Sequence, residues 1–76
     1  MRILSVEYGK KDGSCIVVAD VEEKTNVILN CTLDHVTKEE FVNIAIDINR
    51  DLNCDKFVCE DIELYYFIKE VYNGRL

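Results

Sequence analysis

Oxygen-bearing side chains recur at every second position from Asp47 to Asp55: Asp47, Asn49, Asp51, Asn53 and Asp55. A calcium loop of twelve residues begins this way, because a hard divalent cation collects carboxylate and carbonyl oxygens from one tight turn. The strict positions are not met. The sixth place needs glycine for its sharp turn and holds Leu52; the twelfth needs a bidentate glutamate and holds Val58, with Glu60 two residues further on. A helix continuing to Leu52 would also turn Asp47 and Asn49 in different directions. The run is therefore expected to be a polar helix end passing into a turn, with no metal.

Other chemistry has less to start from. Cys54-x4-Cys59 is the one close cysteine pair, whereas a structural zinc site takes four ligands, usually with a tight knuckle. His35 is the only histidine, and pairing it with Cys31 or Cys59 as base and nucleophile matches no known spacing. The glycines, Gly9, Gly13 and Gly74, form no phosphate loop, and neither GxSxG nor HExxH occurs. A small cysteine-dependent enzyme is thus the least favoured function. No catalytic residue, metal or cofactor is assigned.

The elements that would position a site follow from periodicity. Thr37 followed by Glu40 is a capping box, with the threonine oxygen on the Glu40 amide and the carboxylate returning to the Thr37 amide. Behind it Phe41, Ile44, Ala45, Ile48 and Leu52 share one helical face, flanked by Val42 and Ile46. Ahead of it lie three alternating runs. Leu4, Val6 and Tyr8, then Cys15, Val17, Ala19 and Val21, then Val27, Leu29, Cys31 and Leu33 are the expected core faces, because the alternate sets carry the charges and amides. Short connections, Asp12-Gly13 and Glu23-Lys24-Thr25, make these an antiparallel meander. Residues 56–60 are expected as a short fourth strand, and Asp61 as the N-cap of a second helix that Asn73-Gly74 stops. On that helix Leu64, Ile68, Val71 and Tyr72 face the core with Tyr65 beside them, and Tyr66 and Phe67 lie round the other side. The expected fold is α+β, one domain over residues 1–76: a three- or four-stranded antiparallel sheet with two helices, in the order β-β-β-α-(β)-α.

Composition bounds the partners. Fifteen acidic against nine basic residues give a net charge of −6. Residues 34–63 hold nine of the acids and three of the bases, which accounts for the whole imbalance. Such a surface repels phosphate backbones, so a basic protein is the expected partner and direct nucleic-acid binding is not. Glu40, Asp47, Asp51, Asp55, Glu60, Asp61 and Glu63 are the candidate contacts. At 1.5 Å per helical residue, Glu40 and Asp47 are about 10 Å apart and Asp47 and Asp51 about 6 Å, comparable in scale to a phosphate backbone. The reading is a small acidic binding module, in one form an inhibitor or regulator of phage or mobile-element type that covers a basic nucleic-acid-binding surface.

An alternative function is structural. A chain of 76 residues hides only about 60% of the surface its unfolded form exposes, so self-association is a natural reinforcement. Ile16 and Val18, placed on the second sheet face, together with Tyr66 and Phe67, are the expected contacts of a homodimer. No apolar run is long enough to span a bilayer. The opening MRILSVEYG carries no apolar core of a secretory signal, which predicts a cytoplasmic protein whose four cysteines stay reduced. Intact-mass analysis of freshly purified, non-reduced protein is accordingly expected to show four free thiols and no zinc. Two bridges or stoichiometric metal would overturn the compartment argument.

Overall fold

The structure, a computed structural model, describes residues 1–9 and 13–75, the last four of these (72–75) as backbone only. Asp12 of the expected turn and the Tyr72 side chain lie outside the described residues. Six elements follow in the order β-β-β-α-β-α: β1 (Arg2–Glu7), β2 (Ser14–Val21), β3 (Thr25–Leu33), α1 (Lys38–Asp51), β4 (Lys56–Cys59) and α2 (Ile62–Arg75). β1, β2 and β3 form the antiparallel meander, and the sheet order is β3-β2-β1-β4. β4 is a strand, but it pairs parallel to β1, so the sheet is mixed. α1 carries the chain from one edge of the sheet to the other.

Both helices lie on one face of that sheet. Leu4 stands opposite Val18, and Val6 opposite Ile16. These four side chains meet Phe41, Val42, Ala45 and Ile46 of α1 and Leu64 and Ile68 of α2 in a single core. The covered face of β2 is thus Ser14, Ile16 and Val18, the reverse of the expected set. Ile16 and Val18 are fully enclosed, so neither is available to a second copy. Asp20, with Glu22 beyond it, argues in the sequence for the other face. It sits near the strand end, where its carboxylate reaches the N-terminal ammonium at 3.3 Å without entering the core. The larger Ile16 and Val18 side chains, not Val17 and Ala19, then bury the most apolar surface.

Tight local chemistry fixes the elements. Ser14 is the buried polar residue of the covered face, and its hydroxyl takes the Gly9 amide hydrogen at 3.1 Å. A side chain on Gly9 would strike the Gly13 carbonyl, and Gly13 itself holds φ +87°. Thr37 caps α1 as expected, accepting from the Glu40 amide at 3.1 Å. The returning arm differs, because the Glu40 carboxylate accepts from the Thr37 hydroxyl. At the other end Asn53, at φ 52°, terminates α1 in the left-handed region. The Asn53 amide donates to the Arg50 carbonyl and the Cys54 amide to the Asn49 carbonyl, which together form a Schellman cap. Asp61 caps α2 through the Leu64 amide at 3.2 Å. α2 does not stop at Asn73-Gly74 but runs on to Arg75.

The short strand β4 is tied down from outside. The Arg2 guanidinium donates to the Leu52 carbonyl at 2.6 Å, at the negative end of the α1 dipole. The Arg2 amide donates to the Asp55 carboxylate at 2.9 Å, and the Asp55 amide returns a bond to the Arg2 carbonyl at 2.8 Å. One basic residue therefore joins the end of α1 to the start of the β1–β4 pairing.

The enclosed Phe41 ring sits 5.4 Å from Tyr8 at the centre of this packing. Phe41→Ala is expected to cost about 3–5 kcal/mol, most of the stability of a small domain. Arg2→Ala is expected to cost about 1–2 kcal/mol, as the loss of a partly buried charged hydrogen bond. Urea denaturation ranks them, and equal effects would mean that the core is misassigned.

Candidate partner-binding site

The acidic residues singled out in the sequence separate into distinct places. With Ala45 and Ile46 turned inward, the 100° helical step puts Glu40, Asp47 and Asp51 together on the solvent side of α1. Arg50 lies among them, 3.4 Å from the Asp47 carboxylate and 3.5 Å from Asp51. These are exposed ion pairs, which contribute little to stability. Asp55 stands at the start of β4 and is committed to the Arg2 amide, and Asp61 is committed to the α2 cap. Glu60 and Glu63 flank that cap at the far end of β4. The seven carboxylates are therefore one stripe of three on α1 and a second group around β4, and not one continuous site.

The aromatic residues also part company. Tyr65 stacks on Phe57 of β4 with centroids 5.8 Å apart, and the Lys69 ammonium lies over the Tyr65 ring, 5.1 Å from its centroid. Phe67 turns toward α1 and lies under the Lys38 ammonium at 5.3 Å. Tyr66 points outward and is 65% exposed. Tyr66 and Phe67 thus do not make a shared patch.

Between α1, α2 and the start of β4 is a cleft of about 420 Å³. Its floor is Leu4, Ile46, Phe57 and Ile68, and its rim carries Asn49, Asp55, Lys56 and Lys69. The size suits a small molecule, and apolar walls with a few polar rim groups are the usual form of such sites. No local motif announces it, because its lining comes from positions 4 to 69 and exists only once β4 has joined β1.

The cysteines are dispersed, and all four are free thiols, each partly exposed. Cys15 lies on the open sheet face, not in the core as expected, and its thiol donates to the Asn30 side chain at 3.7 Å. Cys31 is on the covered face beside Ile16. Burial pushes the Cys54 thiol up, with Asp55 adding to the rise and Arg2 opposing it. Burial likewise pushes Cys59 up, opposed by a hydrogen bond with the Asp61 backbone and aided by the Asp61 and Glu60 charges. An activated nucleophile needs the opposite direction. Among the described residues, no three His, Cys, Asp or Glu side chains converge as metal ligands. No described helix is long and apolar enough to cross a membrane.

No protein-family model, curated protein or solved structure matches the chain.

Because a raised pKa lowers the thiolate fraction at any given pH, Cys54 and Cys59 are expected to alkylate more slowly at mildly alkaline pH than cysteine in an unfolded peptide of this sequence. Their rates should keep climbing at pH values where the peptide has levelled off. Peptide mapping after timed iodoacetamide treatment measures each site. Reaction faster than the peptide would show that an activating group had been missed.

Proposed function

We propose that the chain is a small acidic protein-binding module that presents the outer side of α1 to a basic surface on another protein, working in a reducing cytoplasm. The observation that supports this reading most is the orientation of α1. Phe41, Val42, Ala45 and Ile46 turn into the core, which leaves Glu40, Asp47 and Asp51 in a row on the solvent side with Arg50 as the one base among them. The acid surplus of residues 34–63 belongs to the same part of the chain. A row of carboxylates on a rigid helix meets lysine and arginine groups without reordering its backbone, which favours fast, salt-sensitive association. In its most specific form the partner is a nucleic-acid-binding protein, and the module acts as an inhibitor by occupying the surface that phosphates would take.

The triple substitution Glu40→Gln, Asp47→Asn and Asp51→Asn tests this. Glutamine still serves a capping box, so α1 is expected to remain intact by circular dichroism. Affinity capture from native lysate should yield a basic protein with the wild type, released by added salt and lost with the triple variant. Nucleic acid should compete for it. Capture that survives the neutralised helix, or a partner indifferent to salt, would sink the proposal.

A further inference from the structure

The cleft between α1, α2 and the start of β4 departs from the rest of the chain in its charge. Among the described residues, those that line it and carry charge are Lys56, Lys69 and Asp55. Two bases against one acid is the reverse of the balance of the whole chain, which has fifteen acids and nine bases. Neither lysine is paired with a carboxylate. Among the described residues the ion pairs join the N-terminal ammonium to Asp20 and Glu22, and Arg50 to Asp47 and Asp51. Asp55, by contrast, is engaged, with one carboxylate oxygen on the Arg2 amide at 2.9 Å. Arg2 adds a third positive charge close by. Its guanidinium sits on the Leu52 carbonyl and offsets the negative end of α1, and its charge reaches Cys54, which lines the cleft.

We propose that this cleft binds a small monocarboxylate with an apolar body, of the fatty-acid kind, with its tail on the floor and its carboxylate at the rim beside Lys69 and Asn49. The floor is ready for such a tail. Leu4, Ala45, Ile46 and Ile68 are buried side chains of the single core, so packing on the sheet holds their positions and the surface need not form around a ligand. Asn49 supplies a neutral donor. It is half-buried on the rim, and its side-chain amide makes no hydrogen bond to another described residue.

Charge selects the class of ligand. A cationic head group would meet lysines that have no carboxylate partner, and a neutral one would leave them and the Asn49 amide unused. Two lysines less Asp55 leave one positive charge on the lining, which matches a single carboxylate. A phosphate monoester carries more charge than this and is bound by preference at a helix N-terminus. α1 brings its C-terminal part, Ala45 to Asn49, to the cleft, so the dipole offers phosphate nothing there. The cleft opens between the two helices, whereas Glu40, Asp47 and Asp51 lie on the solvent side of α1. The site is therefore independent of the basic-partner reading.

Titration of the isotope-labelled wild type with octanoate, followed by the NMR shifts of its amides, tests the assignment. Octanoate should give saturable, one-to-one shifts centred on Ala45, Asn49, Phe57 and Lys69, with the Asn49 side-chain amide among them. Octanol and octylammonium share the tail and differ in the head, and each should bind roughly tenfold more weakly or worse. Added salt should weaken octanoate and leave octanol as it was. Lys56→Gln with Lys69→Gln should weaken octanoate by roughly tenfold without changing octanol, and Lys24→Gln, in the turn between β2 and β3, should change neither. Absence of saturable shifts at millimolar octanoate overturns the proposal. So does equal binding of the three head groups, or a set of shifts centred on the open face of the sheet. Should the double variant fail to fold, the comparison of head groups on the wild type decides.

Discussion

Two helices can cover one face of a four-stranded sheet and no more. With strands about 4.8 Å apart and helices about 10 Å wide, α1 and α2 side by side just span β3, β2, β1 and β4. Everything apolar that must be hidden has to sit on that one face, and Leu4, Val6, Ile16 and Val18 do. The other face is left to residues that tolerate partial contact with water. Ser5, Cys15, Val17 and Ala19 are small or slim and shield one another across the strands. At the edges this shielding fails, and Val27, Ile28 and Val58 stand open. The exposed apolar surface of the sheet is thus a consequence of helix count, concentrated at its two edges.

β4 shows how a strand too short to hold itself is held by its neighbours. Four residues of parallel pairing with β1 supply few backbone bonds, so position is imposed from the ends. Asn53 turns the chain out of α1, Arg2 fastens the last turn, and Asp55 grips the Arg2 backbone in both directions. The aromatic stack of Phe57 on Tyr65 then couples β4 to α2. The oxygen-rich run from Asp47 to Asp55 takes its meaning here. Its members serve a solvent face, a helix cap and a strand anchor, three tasks with no common focus.

Much of this architecture was legible in the sequence, and where it was not the reason is physical. The meander, the Thr37 cap, the fourth strand and the Asp61 cap each rest on local chemistry, which periodicity and capping residues report directly. The face of β2 differs from the expected one because both alternating sets are apolar and the two charges that favour the other face, Asp20 and Glu22, lie at and just beyond the strand end, where they reach solvent. The face of α1 is rotated from Ile44 and Ile48 toward Val42 and Ile46, since a helix flanked by a second helix buries its flank as well as its base. The parallel placement of β4 was beyond local reading, because the end-to-end tie through Arg2 spans most of the chain. The acidic stripe on α1 followed from helical spacing, whereas its separation from the carboxylates around β4 required the sheet order.

The sheet order also sets a sequence of events during synthesis. β1 is a central strand, yet its two neighbours arrive at very different times: β2 follows soon after it in the chain, and β4 only after the rest of the meander and the whole of α1 have been made. Local hairpins close in microseconds and the chain lengthens at about 5–20 residues per second, so the three-stranded meander can assemble before Lys56 has emerged. For a second or more the nascent sheet then has two open edges, and Leu4 and Val6 lie against an incomplete helical layer. Arrival of β4 converts β1 from an edge into an interior strand. Closing so long a loop adds little entropic penalty beyond that of a shorter one, so the delay is one of supply. During that interval the chain is exposed to premature strand exchange and to capture by chaperones that recognise unpaired strands.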